Sequence, residues 1–151
     1  MMAVTMQQVL AQIDKDEPDY ARAAKLGPGV LPHVRQIIEA DDPMLASKAA
    51  YLASLIGGAD AIELLDQAAK RREPEVRVAV AHALQNTSDA PPHLLERLLG
   101  DEDVGVRKLA LTTVAELRLL AVQEKVAMIA KRDPEEFIRD IAAETNRKLK
   151  R

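Results

Sequence analysis

Apolar residues recur along this chain at three- and four-residue spacing. In the clearest stretch, Val76, Val80, Ala83 and Leu84 fall on one side of a helix. Glu73 and Glu75 flank Pro74 at its start, placing negative charge at the helix's positive end, where a proline costs no hydrogen bond. Asn86-Thr87-Ser88-Asp89 with Pro91-Pro92 stops that helix and turns the chain. A second stripe follows from about Pro92 to Leu99, burying Leu94, Leu95, Leu98 and Leu99 before Gly100 ends it.

The same grammar reads on either side. Pro43 to Ile56 is a first helix closed by Gly57-Gly58, and Ala61 to Arg71 is its partner. Val104 to about Leu119 and Val122 to Lys131 make the next pair, and Pro134 to about Leu149 is a further first-type helix without a successor. Upstream, Thr5 to Ile13, a short segment from Asp19 to Leu26, and Val30 to Glu39 complete the series. No stretch carries a comparable strand signal.

The openings Asp42-Pro43, Glu73-Pro74, Asp103-Val104 and Asp133-Pro134 are stepped by 31, 30 and 30 residues, with Glu17-Pro18 as a weaker forerunner. Such a period predicts an all-α solenoid of stacked antiparallel helical hairpins, about nine helices in one repeat domain over 1–151. Each hairpin would complete its core only on its neighbours. Leu84 falls on the core stripe of a middle helix, and Leu149 is expected near a frayed end.

Composition narrows the chemistry. Tyr20, Tyr51 and Phe137 are the complete aromatic set, so Ala, Leu, Val and Ile must supply a core of closely approaching helices. The net charge of -3 argues against a nucleic-acid partner, whose phosphates favour a basic excess. With no Cys, disulfides and thiolate chemistry are excluded. The N-terminal MMAVTMQQVLAQIDKD lacks a leader pattern, and no run is long and apolar enough to span a membrane; a cytoplasmic location is expected.

The phrases DPMLASKAAYLASLIGG, EPEVRVAVAHALQN and DEDVGVRKLALTTVAEL resemble HEAT repeats of the short bacterial kind called phycobilisome-lyase-like. Val76-Arg77 and Val106-Arg107 match that family's Val-Arg pair. Leu45-Ala46 keeps only the apolar member, and Glu136-Phe137 puts an acid where Val is expected. The resemblance implies a right-handed HEAT-like solenoid whose second helices line a concave side. It also implies a structural role for Arg77 and Arg107, each pairing with an acid that opens a neighbouring repeat, with Asp103 and Asp133 as candidates.

Aligning the second helices on Val34, Leu65, Leu95 and Val126 generates polar rows beside these anchors. The candidate partner-binding positions are Arg35, Gln36, Glu63, Asp66, Gln67, His93, Glu96, Arg97, Glu124 and Met128. Their mixed sign suits a protein or peptide partner. His33, His82 and His93 have no metal-ligand spacing, and Ser47 and Ser54 lack an evident base, so no catalytic, metal or cofactor residue is assigned. The expected function is a non-catalytic interaction scaffold or adaptor. The alternative carried by the resemblance is a HEAT-like enzyme or accessory subunit, DNA glycosylase-like or bilin-lyase-like.

Overall fold

Four helices begin where the carboxylate or hydroxyl of a cap residue satisfies orphan N–H groups of the first turn. In the computed structural model, residues 3–151 are described and form ten α-helices with no strand among them. The first two residues of the N-terminal stretch read for a leader lie outside the described residues. Helices α1 (Met6–Ile13), α2 (Tyr20–Ala24), α3 (Leu31–Glu39), α4 (Pro43–Ile56), α5 (Ala59–Ala68) and α6 (Pro74–Ala83) lie in one compact unit ending at Thr87. Helices α7 (Pro92–Leu99), α8 (Val104–Leu117), α9 (Gln123–Arg132) and α10 (Glu136–Leu149) lie in a second, beginning at Ser88.

Thr5 and Gln8 close a capping box on α1. Asp19, Asp42 and Asp103 accept backbone N–H groups at the starts of α2, α4 and α8. Glu73, at the start of α6, makes no such bond, because an arginine holds its carboxylate.

In the first unit α4 is the hub, packing against α1, α2, α3, α5 and α6. Its buried residues are mostly alanines (Ala46, Ala49, Ala50 and Ala53), and these small side chains let neighbouring backbones approach closely. Helices α3 and α5 lie against each other, with Val34 and Leu65 fully buried beneath them. Gly57 and Gly58 turn α4 into α5 with φ of 76° and 89°, which only glycine adopts readily. Two such residues in a row reverse the chain at once, so α5 starts at Ala59 and not at Ala61.

Gly29 serves a different purpose. A Cβ there would sit 2.9 Å from Val4 Cγ2, and His33 Nε2 donates to the Val4 carbonyl at 2.7 Å. The segment before α1 is thereby pinned to the start of α3.

In the second unit α8 packs on α7 and α10, while α9 packs on α10 and touches α7. Leu94, Leu95, Leu98, Leu99, Leu111 and Ile138 form its core. Helix α8 ends at Leu117, two residues before the expected Leu119, because its cap residue Arg118 is left-handed with φ 53° and ψ 53°. The Arg118 side chain donates Nη2 to the carbonyls of Lys148 and Arg151, placing a cation at the C-terminal end of α10.

Two expectations need correction. Leu149 does not fray; it is 4% exposed, on a helix whose end Arg118 holds. The start of α10 is also displaced, because Asp133-Pro134 stays in the loop and Glu135 becomes the cap residue. The buried pattern Val106, Ala110, Thr113 of α8 recurs in α10 as Ile138, Ala142, Thr145. The Val-Arg pair of this repeat is therefore Ile138-Arg139, 32 residues after Val106-Arg107, and Phe137 is exposed.

Leu84 is fully buried at the end of α6, so Leu84→Ala should cost about 2–5 kcal/mol through lost burial and a residual cavity. Leu149→Ala should fall in the same range, at about 2 kcal/mol or more. Urea denaturation followed by helical circular dichroism measures both. A loss well under about 1 kcal/mol at Leu149 would restore the frayed-end assignment.

Candidate functional site

The most fully satisfied polar group of the second unit is the Arg107 guanidinium, 8% exposed. Its Nε and Nη2 donate to the two Asp133 carboxylate oxygens at 2.8 and 3.1 Å. Its Nη1 donates to the carbonyls of Asp101 and Glu102 at 3.0 and 3.1 Å. The carbonyls belong to the loop before α8, and the carboxylate to the loop before α10. One planar fork thus joins two successive loops, a geometry that lysine cannot reproduce.

The carbonyl half of this arrangement repeats. Arg77 Nη1 donates to the carbonyls of Arg71 and Arg72 at 2.8 and 2.7 Å, and Arg139 Nη1 to that of Asp133 at 2.6 Å. In α4 the equivalent position is Ala46, which cannot donate. There a guanidinium arrives from the opposite direction. Arg71, in the loop before α6, sends Nη1 back to the carbonyls of Ile38 and Ala40, and gives Nε and Nη2 to Glu73 at 2.9 Å each. Donor for donor this matches Arg107: Nη1 on carbonyls just before the first helix, here the last turn of α3 and the loop after it, and Nε and Nη2 on a carboxylate of the following loop. Arg71 occupies the position held by Asp101 and Asp133 in later repeats, two residues before the cap residue.

The bidentate bond from Arg71 pulls the Glu73 carboxyl down to about 2 from 4.5, and the same bond raises the Arg71 guanidinium.

The second helices carry the predicted contact residues. In the first unit Arg35 Nη1 donates to Gln67 Oε1 at 3.3 Å, and Gln67 Nε2 donates to Glu39 Oε1 at 3.1 Å. Arg35 also stands 4.0 Å from Glu63, and Asp66 pairs with Lys70 at 3.4 Å. Arg35, Glu63 and Gln67 are thus brought together across α3 and α5, while Gln36 is exposed beside them. In the second unit His93, Glu96 and Arg97 are exposed on α7, and Glu124 and Met128 on α9.

Two grooves lie at the ends of these helices. In the first unit a groove of ≈ 560 Å³ is lined by Glu39, Asp41, Gln67, Lys70, Arg71 and Glu73. In the second a groove of ≈ 320 Å³ has Leu99, Met128, Ile129 and Pro134 with Lys125 and Arg132. Of the predicted contact residues Gln67 lines the first groove and Met128 the second, while the loop residues Arg71 and Asp133 were not among them. The repeated loop positions before each first helix were the available signal.

The aromatic residues are also organised. The Tyr20 ring lies 4.7 Å from that of Tyr51, which stacks on His82 at 5.9 Å and 13°. Burial, and then the neighbouring Tyr51, raise the Tyr20 phenol. His82 is exposed. Ser54 Oγ donates to the Tyr51 carbonyl and accepts from Asn86 Nδ2 at 3.0 Å, a buried structural bridge. Among the described residues no three His, Asp or Glu side chains form a metal-binding group, and no helix is long and apolar enough to cross a membrane. The sequence matches no protein-family model and no curated protein.

Asp133→Ala leaves the Arg107 charge buried without its counter-ion and should cost about 3–5 kcal/mol. The double variant R107M/D133L should lose less than the two single losses added together, which a urea double-mutant cycle measures. The Glu73 carboxyl, lowered by folding, contributes stability that is full above about pH 4.5 and fades as pH falls towards 2. Acid titration of unfolding should therefore show a shallower slope over that window for Glu73→Gln than for the wild type.

Proposed function

We propose that the protein is a cytoplasmic, non-catalytic protein-interaction module, its hairpins HEAT-like repeats stacked within each unit with the right-handed turn of a solenoid. The observation that supports this most directly is the polar lattice over α3 and α5. Arg35, Gln67 and Glu39 hold one another across two helices, with Glu63 at the edge. Side chains already fixed by lateral bonds lose little rotamer freedom when a partner docks, which lowers the cost of association. Fully buried apolar anchors, Val34 and Leu65, fix the helices that carry them.

The second unit offers its own face, with His93, Glu96 and Arg97 on α7 and Glu124 and Met128 on α9. Mixed charge with an exposed methionine suits a polypeptide with polar and apolar groups.

Pull-down from cell extract with the intact chain and with R35A/Q67A tests the first face, and E96A/R97A tests the second. At least one variant should lose a specific partner that the intact chain captures, while keeping its helical circular dichroism. Capture of every specific partner by both variants, at undiminished yield, removes these helix faces as the binding surface.

A further inference from the structure

The groove at the C-terminal end of α7, against α9, differs from its counterpart in the first unit in one respect. In the first unit Lys70 pairs with Asp66, Arg71 with Glu73, and Glu39 accepts from Gln67. In the second, the carboxylates that line the groove are already engaged. Asp133 takes Arg107, and Asp101 accepts the backbone N–H of Asp103. Lys125 and Arg132 also line it, and among the described residues neither side chain has a hydrogen bond or an ion pair. Between them Met128 is 51% exposed over the nearly buried Ile129. Gly100 leaves the groove open: a Cβ there would stand 3.5 Å from Lys125 Nζ, and its backbone has an ordinary negative φ of -98°.

We propose that this groove binds an extended acidic peptide segment of a partner protein, with an apolar side chain seated on Met128 and Ile129 between two carboxylates held by Lys125 and Arg132. The proposal rests on the interaction-module reading and names the partner chemistry for its second unit. Lys125 and Arg132 are seven residues apart on one helix, a rise of roughly 10 Å. Three residues of chain in the extended polyproline II conformation cover about the same distance, roughly 9 Å, and bring the side chain back to the same face. The spacing therefore selects an acid, two intervening residues of which one is apolar, and a second acid. Two unpaired cations beside an apolar floor supply charge complementarity and a desolvated anchor together. A phosphate backbone would engage the cations and leave the methionine floor unused.

The test is selection of a displayed library of random twelve-residue peptides on the full chain, followed by fluorescence-anisotropy titration of the enriched peptides. Enriched peptides should carry acids three positions apart around Leu, Ile, Met or Phe, and should weaken as salt rises. K125E/R132E should reduce affinity at least about tenfold, and peptides with the acids changed to lysine should regain affinity for that variant. Gly100→Leu keeps both charges and fills the groove, and it should also reduce binding, with circular dichroism confirming that each variant folds. R35A/Q67A should bind the peptides like the wild type.

Enrichment of peptides without paired acids, affinity unchanged in both groove variants, or displacement by a single-stranded oligonucleotide at equal strength would each overturn the proposal. If the groove variants leave peptide affinity unchanged while the helix-face variants lose a partner in pull-down, the groove assignment fails and the broader function stands.

Discussion

Within each unit of this protein, two successive loops are tied by a guanidinium seated between them. Each seat has backbone carbonyls on one side, and at Arg107 and Arg71 a carboxylate grips Nε and Nη2 from the other. A buried charge is tolerable only when almost every donor is satisfied. Arg107 meets that condition with four hydrogen bonds, from Nε, Nη2 and twice from Nη1. The geometry fixes where one loop ends and the next helix begins, and so sets the register of the helices that follow. The loops in turn define the edges of both grooves, so the candidate binding surfaces inherit their shape from these seats.

The seat persists while the residue supplying it changes. Where α8 has Arg107, α4 has Ala46, and its seat is filled by Arg71 reaching from the following loop. Arg71 replaces the acid that its loop position carries in later repeats, Asp101 and Asp133. Loss of an arginine on one side and loss of an acid on the other would look like two unrelated departures from a repeat. Together they are one exchange, which conserves the guanidinium and its carboxylate.

Helix positions were largely legible in the sequence, because capping acids, prolines and apolar stripes act locally and each leaves a mark. What escaped was set by contacts between distant segments. A constant step placed the last repeat at Glu136-Phe137; the buried positions show a step of 32, carried by Ile138-Arg139. The left-handed Arg118 gave no local warning, since glycine is the usual signal there and its reward is a bond to residues about thirty positions away. The pinning of Val4 by Gly29 and His33 is likewise long-range. The periodicity placed the candidate contact residues on the second helices, but it gave no sign that Arg35, Glu63 and Gln67 gather, or that Lys125 and Arg132 line the second groove.

The seat matters and the direction of supply does not. Changing Arg71→Asp together with Ala46→Arg would rebuild in the first unit the arrangement seen around Arg107, with the arginine on α4 and an aspartate two residues before the cap residue Glu73. Unfolding free energies from urea titration of the wild type, both single variants and the double variant test this directly. Each single change should destabilise, and the double variant should recover most of the stability lost in Arg71→Asp. A double variant whose loss equals or exceeds the sum of the two single losses would contradict the account.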